Sequence, residues 1–255
     1  MIKAVQRIAD LFYPPRCVIC DEVIASNERP FCRACATQTL PRIGTACRKC
    51  GRGKKACTCK NDTFLTDGIA APFYYVDGIS DAIAYFKRVC DRDRTRFFLE
   101  ELIETVYAAF GEKVVDYITT VPLHANDLAE RGFDQTEPLA KALSKELHVP
   151  YIRPLRKIFK TESQKHLSAE RRTGNLLGAF SVRTKYPLKG RNVLLIDDVV
   201  TTGSTTNECA KMLKIYGVKQ VFVLAIAVSG DEKDEEEDLL ADLKERLAGK
   251  VDNFT

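Results

Sequence analysis

Two adjacent carboxylates close an aliphatic run, and a hydroxyl-rich glycine turn follows at once: VLLIDDVVTTGST, Val193 to Thr205. Of all the stretches in the chain, this one is best fitted to chemistry. Asp197 and Asp198 are hydrogen-bond acceptors, suited to sugar hydroxyls or a bound cation and unable to favour phosphate. Thr201, Thr202, Gly203, Ser204 and Thr205 lead into a helical pattern. Free amides, hydroxyls and the helix dipole at such a helix start favour a phosphate. No lysine follows the glycine, so the turn is not a Walker loop. Phosphate, diol and cation recognised in one place describe a phosphorylated sugar. An ordinary cap after an ordinary strand would explain any one of these residues but not the whole string.

The second chemical constellation is at the other end. Eight of the ten cysteines fall between Cys17 and Cys59. Cys17/Cys20 and Cys32/Cys35 are two CxxC pairs; Cys47/Cys50 is a third, followed by the tighter Cys57/Cys59. Two such knuckles supply four thiolates to one tetrahedral Zn²⁺, so two structural zinc sites are expected. The CxC spacing is the less usual one, and pairing across the two quartets stays open. A disulfide framework is the alternative. The amino terminus has no uninterrupted apolar core and no small-residue cleavage site, which argues for a cytoplasmic protein and against disulfides. Cys90 and Cys209 stand alone and read as small buried apolar residues.

Charge separates the two ends. The net charge of +4 hides a stretch from Arg29 to Lys60 in which every charged residue is basic. From Asp231 to Asp238 the only base is Lys233. The basic residues either offset thiolate charge at the metal sites or touch nucleic acid; Phe31 is the one aromatic there that could stack on a base. No apolar run approaches the roughly 20 residues of a membrane span.

These residues need a scaffold, and the 255-residue chain supplies one pattern for it. From Asp67 onward, β-rich runs (Ile69–Val76, Val114–Val121, Val193–Ile196, Val221–Val228) alternate with helical periodicities at Ser80–Arg88 and Phe97–Phe110. A further helix carries Leu139, Leu143 and Leu147, with Asp134 placed to cap it. Alternation of this kind predicts an α/β fold with a doubly wound sheet, in which ligands bind beyond the carboxyl ends of the strands. The expected organisation is an amino-terminal helix and double zinc ribbon over 1–62, the α/β domain over 63–230, and an acidic helical tail over 231–255.

VLLIDDVVTTGST resembles the phosphoribosyl pyrophosphate (PRPP) signature of type I phosphoribosyltransferases. VPLHANDLAERGFDQTEPLA (Val121–Ala140) and TESQKHLSAERRTGNLLGAF (Thr161–Phe180) further resemble the ComF family of competence proteins, which joins a double zinc ribbon to such a domain. The resemblance implies that Asp197 and Asp198 hold the ribose hydroxyls and that Thr201–Thr205 cradle the 5-phosphate. By the same resemblance Leu123 and His124 belong to the pyrophosphate loop, Arg131 and Gln135 to an Arg-Gly-Phe-x-Gln element, and Arg171 to a mobile active-site loop. Arginines suit phosphate oxygens, and a pyrophosphate leaving group calls for Mg²⁺. Two functions follow as expectations. One is transfer of ribose 5-phosphate from PRPP by a protein that acts, with DNA-uptake proteins, in DNA uptake for natural transformation. The other is a non-catalytic competence factor that grips single-stranded DNA through the basic zinc ribbon and the phosphate pocket.

Overall fold

The computed structural model describes residues 14–25, 30–38, 40–54, 57, 59, 64–89, 91–111, 115–158 and 178–230, without the side chains of Asp127, Glu130 and Arg131. The amino-terminal helical pattern, Cys90, Arg171 with its neighbours and the acidic tail lie outside the described residues.

In chain order the elements are α1 (Arg33–Ala36), β1 (Gly68–Ala70), β2 (Phe73–Tyr74), α2 (Asp77–Val89), α3 (Arg92–Phe110), β3 (Tyr117–Thr120) and α4 (Ala125–Arg131). They continue with α5 (Thr136–Glu146), β4 (Leu155–Lys157), β5 (Phe180–Val182), β6 (Asn192–Val200), α6 (Ser204–Ile215) and β7 (Gln220–Val228). The main sheet is parallel in the order β1-β7-β6-β3, with β2 also paired to β7. Helices cover both faces, as the alternating pattern demands. On β6, Leu194 and Ile196 turn to the core that holds α2, α3 and α5, while Val193 and Leu195 turn to the core that holds α6. β7 divides its side chains likewise, with Leu224 and Ile226 on one face and Val223 and Ala225 on the other. A strand buried on both faces must be aliphatic throughout, which is why its sequence does not alternate.

Three elements differ from the sequence expectation. The run Ile69–Val76 is two short strands, because Ala71 and Pro72 interrupt the ladder. There the ribbon segment closes in: Ile43 donates its N–H to the Pro72 carbonyl, Tyr74 donates to the Pro41 carbonyl, and Arg42 bridges Phe73. Asp134 is one residue too early to be the cap of α5, whose N-cap is Gln135; its carboxylate instead accepts from the amide and hydroxyl of Thr136. The antiparallel pair β4–β5 has no period-2 signature, since Arg156 and Lys157 occupy two of its three β4 positions.

Candidate active site and metal centres

β6 carries the aspartate pair. The strand runs on to Val200, so Asp197 and Asp198 lie within its second half and not at a solvent-facing tip. Both are largely buried. Asp198 is held at one oxygen by two side chains: Gln135 Nε2 donates at 2.7 Å and Lys87 Nζ stands at 3.0 Å. Asp197 has no such cation in contact among the described residues and accepts from the Asp198 amide, at 2.9 Å. Burial, reinforced by the neighbouring Asp198 carboxylate, pushes its pKa up to about 8. Two adjacent carboxylates in a dry site do not both ionise without a cation, so the pair is a fitting seat for a dication or a hydroxyl-rich ligand.

Beyond the pair, the chain turns through Thr201–Thr202–Gly203 into α6. Gly203 has φ 74°, and a Cβ there would stand 3.1 Å from the Phe64 ring. A side-chain-bearing residue would meet both strain and crowding. Thr202 Oγ1 and Ser204 Oγ lie 2.8 Å apart at the mouth, and Thr206 Oγ1 donates to the Gly203 carbonyl. The amides at the start of this 12-residue helix open into a cleft of about 340 Å³. Asp197, Asp198, Thr201, Gly203, Ser204 and Thr205 line it, together with Pro122, Leu123, Lys87 and Lys157. The carboxylates and the helix start thus share one cavity, as their chemistry requires.

Leu123 reaches this cleft, whereas His124 is not among its lining residues. His124 is the N-cap of α4, and its Nδ1 accepts from the Asn126 amide at 3.2 Å. The backbone of Arg131 ends α4, one residue before Gly132. Sequence reasoning missed Lys87 as a site residue: on α2 it reads as one more charge in the last turn. Lys157 was missed for the same reason. Gln135 was noticed only as part of a motif, although it is 2% exposed and bonded to Asp198. Its buried position in an otherwise polar stretch was the available signal.

On the far side of Pro122 and Leu123 is a second cleft of about 170 Å³. Arg153, Arg156, Lys157 and Arg183 line it. Arg153 pairs with Glu137 at 3.5 Å, while Arg156 and Arg183 have no acidic partner among the described residues.

The eight ribbon cysteines fall into two quartets in sequence order, Cys17/Cys20/Cys32/Cys35 and Cys47/Cys50/Cys57/Cys59, with the sulfurs of each within 4.8 Å of one another. Pairing across the quartets is therefore excluded, and all eight are free thiols. Zn–S bonds of about 2.3 Å put tetrahedral sulfurs about 3.8 Å apart. Cys20–Cys32 at 3.8 Å, Cys47–Cys59 at 3.7 Å and Cys50–Cys57 at 3.7 Å meet that edge, and Cys57–Cys59 at 3.0 Å is tighter. In the second quartet, burial and the neighbouring sulfurs push Cys50 up to about 11. Burial acts on Cys47 in the same direction, but the backbone amides of its own knuckle and hydrogen bonds from Cys57 and Cys59 together outweigh it and bring the thiol down to about 7. Thiols that oppose one another's ionisation fit a site completed by a cation. Cys209 is fully buried on α6 with its thiol pushed well up by that burial, as an apolar core residue.

Comparison with known proteins agrees with both halves. Residues 8–64 match the double zinc ribbon domain and residues 135–252 match the phosphoribosyl transferase domain. Competence protein F of Haemophilus influenzae is 29% identical over 229 residues, covering 85% of this chain and 98% of that protein. Competence protein ComFC of Bacillus subtilis is 25% identical, covering 77% and 88%. DNA utilization protein YhgH of Escherichia coli K12 is 38% identical over 48% of this chain and 54% of its own length. The chain thus joins a double zinc ribbon, built from two cysteine quartets, to a phosphoribosyltransferase domain with a parallel sheet, and it is similar over most of its length to competence protein F.

Proposed function

We propose that the 340 Å³ cleft binds PRPP and that the protein acts on DNA taken up in natural transformation. The observation that carries this reading is the shared cavity of the Asp197–Asp198 pair and the α6 amino terminus. The ribose 2′- and 3′-hydroxyls donate to the two carboxylates, and the 5-phosphate accepts from the Thr201–Thr205 turn and the helix start. Leu123 belongs to the loop that receives the pyrophosphate, with Lys87 and Lys157 as nearby cations. Asp197 and Asp198 would also hold Mg²⁺, which would supply positive charge to offset that on the pyrophosphate leaving group. In a transfer, the bond from ribose C1 to pyrophosphate breaks and its electron pair leaves with the pyrophosphate. The acceptor then bonds C1 and releases its proton. Such a reaction rests on positioning and electrostatics, which a rigid strand-borne carboxylate pair provides.

The names of the relatives, competence protein and DNA utilization protein, support the cellular role. A second reading, a grip on single-stranded DNA, is favoured by the 170 Å³ cleft, where Arg156 and Arg183 have no acidic partner among the described residues. The ribbon is less suited to that task than its composition suggests. Arg42 is fixed to Glu101 by two hydrogen bonds, Lys49 donates to the Cys59 carbonyl, and Arg52 donates to two carbonyls of the sheet domain.

Calorimetry of the zinc-loaded protein with Mg²⁺-PRPP tests the first reading. Wild type binds, and Asp197→Asn with Asp198→Asn weakens binding tenfold or more. Absence of binding by wild type would sink it.

A further inference from the structure

The second cysteine knuckle reaches directly into the candidate phosphate loop. Arg52 follows Cys50 and Gly51, and its guanidinium leaves the ribbon altogether. Nε donates to the Ser229 carbonyl at 2.8 Å, and Nη2 donates to the Thr201 carbonyl at 3.0 Å. Thr201 is the first residue after β6 and opens the turn into α6; Ser229 is the first residue after β7. Ser229 adds its own hydroxyl to the Thr201 carbonyl at 3.2 Å and its amide to the Val200 carbonyl at 2.9 Å. One planar fork therefore ties the carboxyl ends of two neighbouring strands at the point where the phosphate loop begins.

Arg52 is itself fixed by the knuckle. Its carbonyl accepts from the Cys47 amide at 2.7 Å, and the Gly51 amide donates to the Cys47 carbonyl at 2.8 Å. Gly51 has φ 77°, and a Cβ there would lie 3.0 Å from the Ile69 side chain and 3.3 Å from Val228, so the knuckle is pressed against β1 and β7. The Gly53 amide donates to the Tyr74 hydroxyl at 2.9 Å. A second strut runs beside the first: Lys49 lies over the Phe64 ring, and that ring closes on Gly203 inside the loop.

We propose that Arg52 is a positioning residue for the phosphate loop, and that the second cysteine quartet sets the loop's ligand affinity through it. A knuckle closed by metal holds Arg52 in register with Thr201. A knuckle opened by metal loss releases the Thr201 carbonyl and with it the amides that follow. This inference rests on the reading of the loop as a phosphate cradle, and the two fail separately.

The test uses the full chain, zinc-loaded, as wild type, Arg52→Ala, Arg52→Lys and the surface control Arg96→Ala. Zinc content, thermal midpoint, hydrogen exchange at residues 201–206 and Mg²⁺-PRPP affinity are measured on each. Arg52→Ala is expected to keep its zinc, exchange the loop amides tenfold faster or more, and bind PRPP about tenfold more weakly. Lysine, with one donor point in place of a fork, restores part of both, and Arg96→Ala changes neither. Wild type stripped of zinc loses PRPP affinity, and Arg52→Ala loses much less on the same treatment, because the coupling is already gone. Loop exchange and affinity both unchanged in zinc-replete Arg52→Ala overturn the proposal, as does an equal loss on zinc removal in the two proteins. If Arg52→Ala does not fold, Arg52→Lys and the zinc titration of wild type decide by the same criteria. Faster loop exchange with no PRPP binding by wild type removes the ligand reading and leaves the positioning role.

Discussion

Burial sets Asp197 apart from an ordinary carboxylate. Its folded pKa of about 8 lies above the ordinary 3.8, so the folded protein keeps a proton that the unfolded chain has lost. Stability from this group is fully present below about pH 4 and is lost as pH rises towards 8. Denaturation midpoints across that window should fall for wild type and stay flatter for Asp197→Asn; parallel slopes would refute the assignment. Lys87 offers a second check. Replacing it with methionine removes the cation from Asp198 and should weaken Mg²⁺-PRPP binding about tenfold, with little change in thermal midpoint, since Lys87 is partly exposed. The aspartates, the TTGST turn and the cysteines were legible because their types and spacings are themselves chemical statements. Lys87 and Lys157 were not, because a lysine on a helix or hairpin is indistinguishable from a solvated charge until the fold brings it to the cleft. His124 shows the converse: a motif position whose ring nitrogen is engaged in capping a helix.

Periodicity located α2, α3, α5, β6 and β7, the elements with a continuous apolar face. It did not resolve β1 from β2, because the break at Ala71–Pro72 depends on a ribbon segment far away in sequence that supplies the missing hydrogen bonds. Nor did it find β4–β5, whose exposed arginines hide a short pairing. α3 has a duty its amphipathic pattern does not announce. Arg94, only 2% exposed, donates to the carbonyls of Cys17 and Val18 and pairs with Asp21 and Asp91. Removing one member of a buried ion pair costs about 3–5 kcal/mol. Arg94→Ala should lose stability on that scale in denaturant titrations and release zinc from the first quartet faster to a chelator. Unchanged release would mean that the knuckle stands without α3. On the hairpin, Arg156→Ala with Arg183→Ala should reduce the salt dependence of single-stranded DNA binding by about 1.4 in the log-log slope. An unaltered slope would move the contact elsewhere.

Across the whole molecule the ribbon and the sheet share one core: Cys17, Val18, Ile19 and Cys35 pack in the same cluster as Phe73, Phe97, Leu224 and Ile226. Elemental analysis should find about two Zn²⁺ per chain, and chelation should lower the thermal midpoint of the entire protein in one transition; a first transition confined to the ribbon would contradict a common core. No helix among the described residues is long and apolar enough to cross a membrane. The strand order has a further meaning for how the chain is made. β7, the last strand in sequence among the described residues, lies between β1 and β6. While a ribosome still holds it back, β1 has no neighbour and Arg52 has neither Ser229 nor a finished end of β6 to grasp. The cysteine quartets, local in sequence, can take up zinc well before then. Synthesis thus passes through a metal-loaded front and an open sheet, whose unpaired edge is a template for aggregation until the central strand arrives.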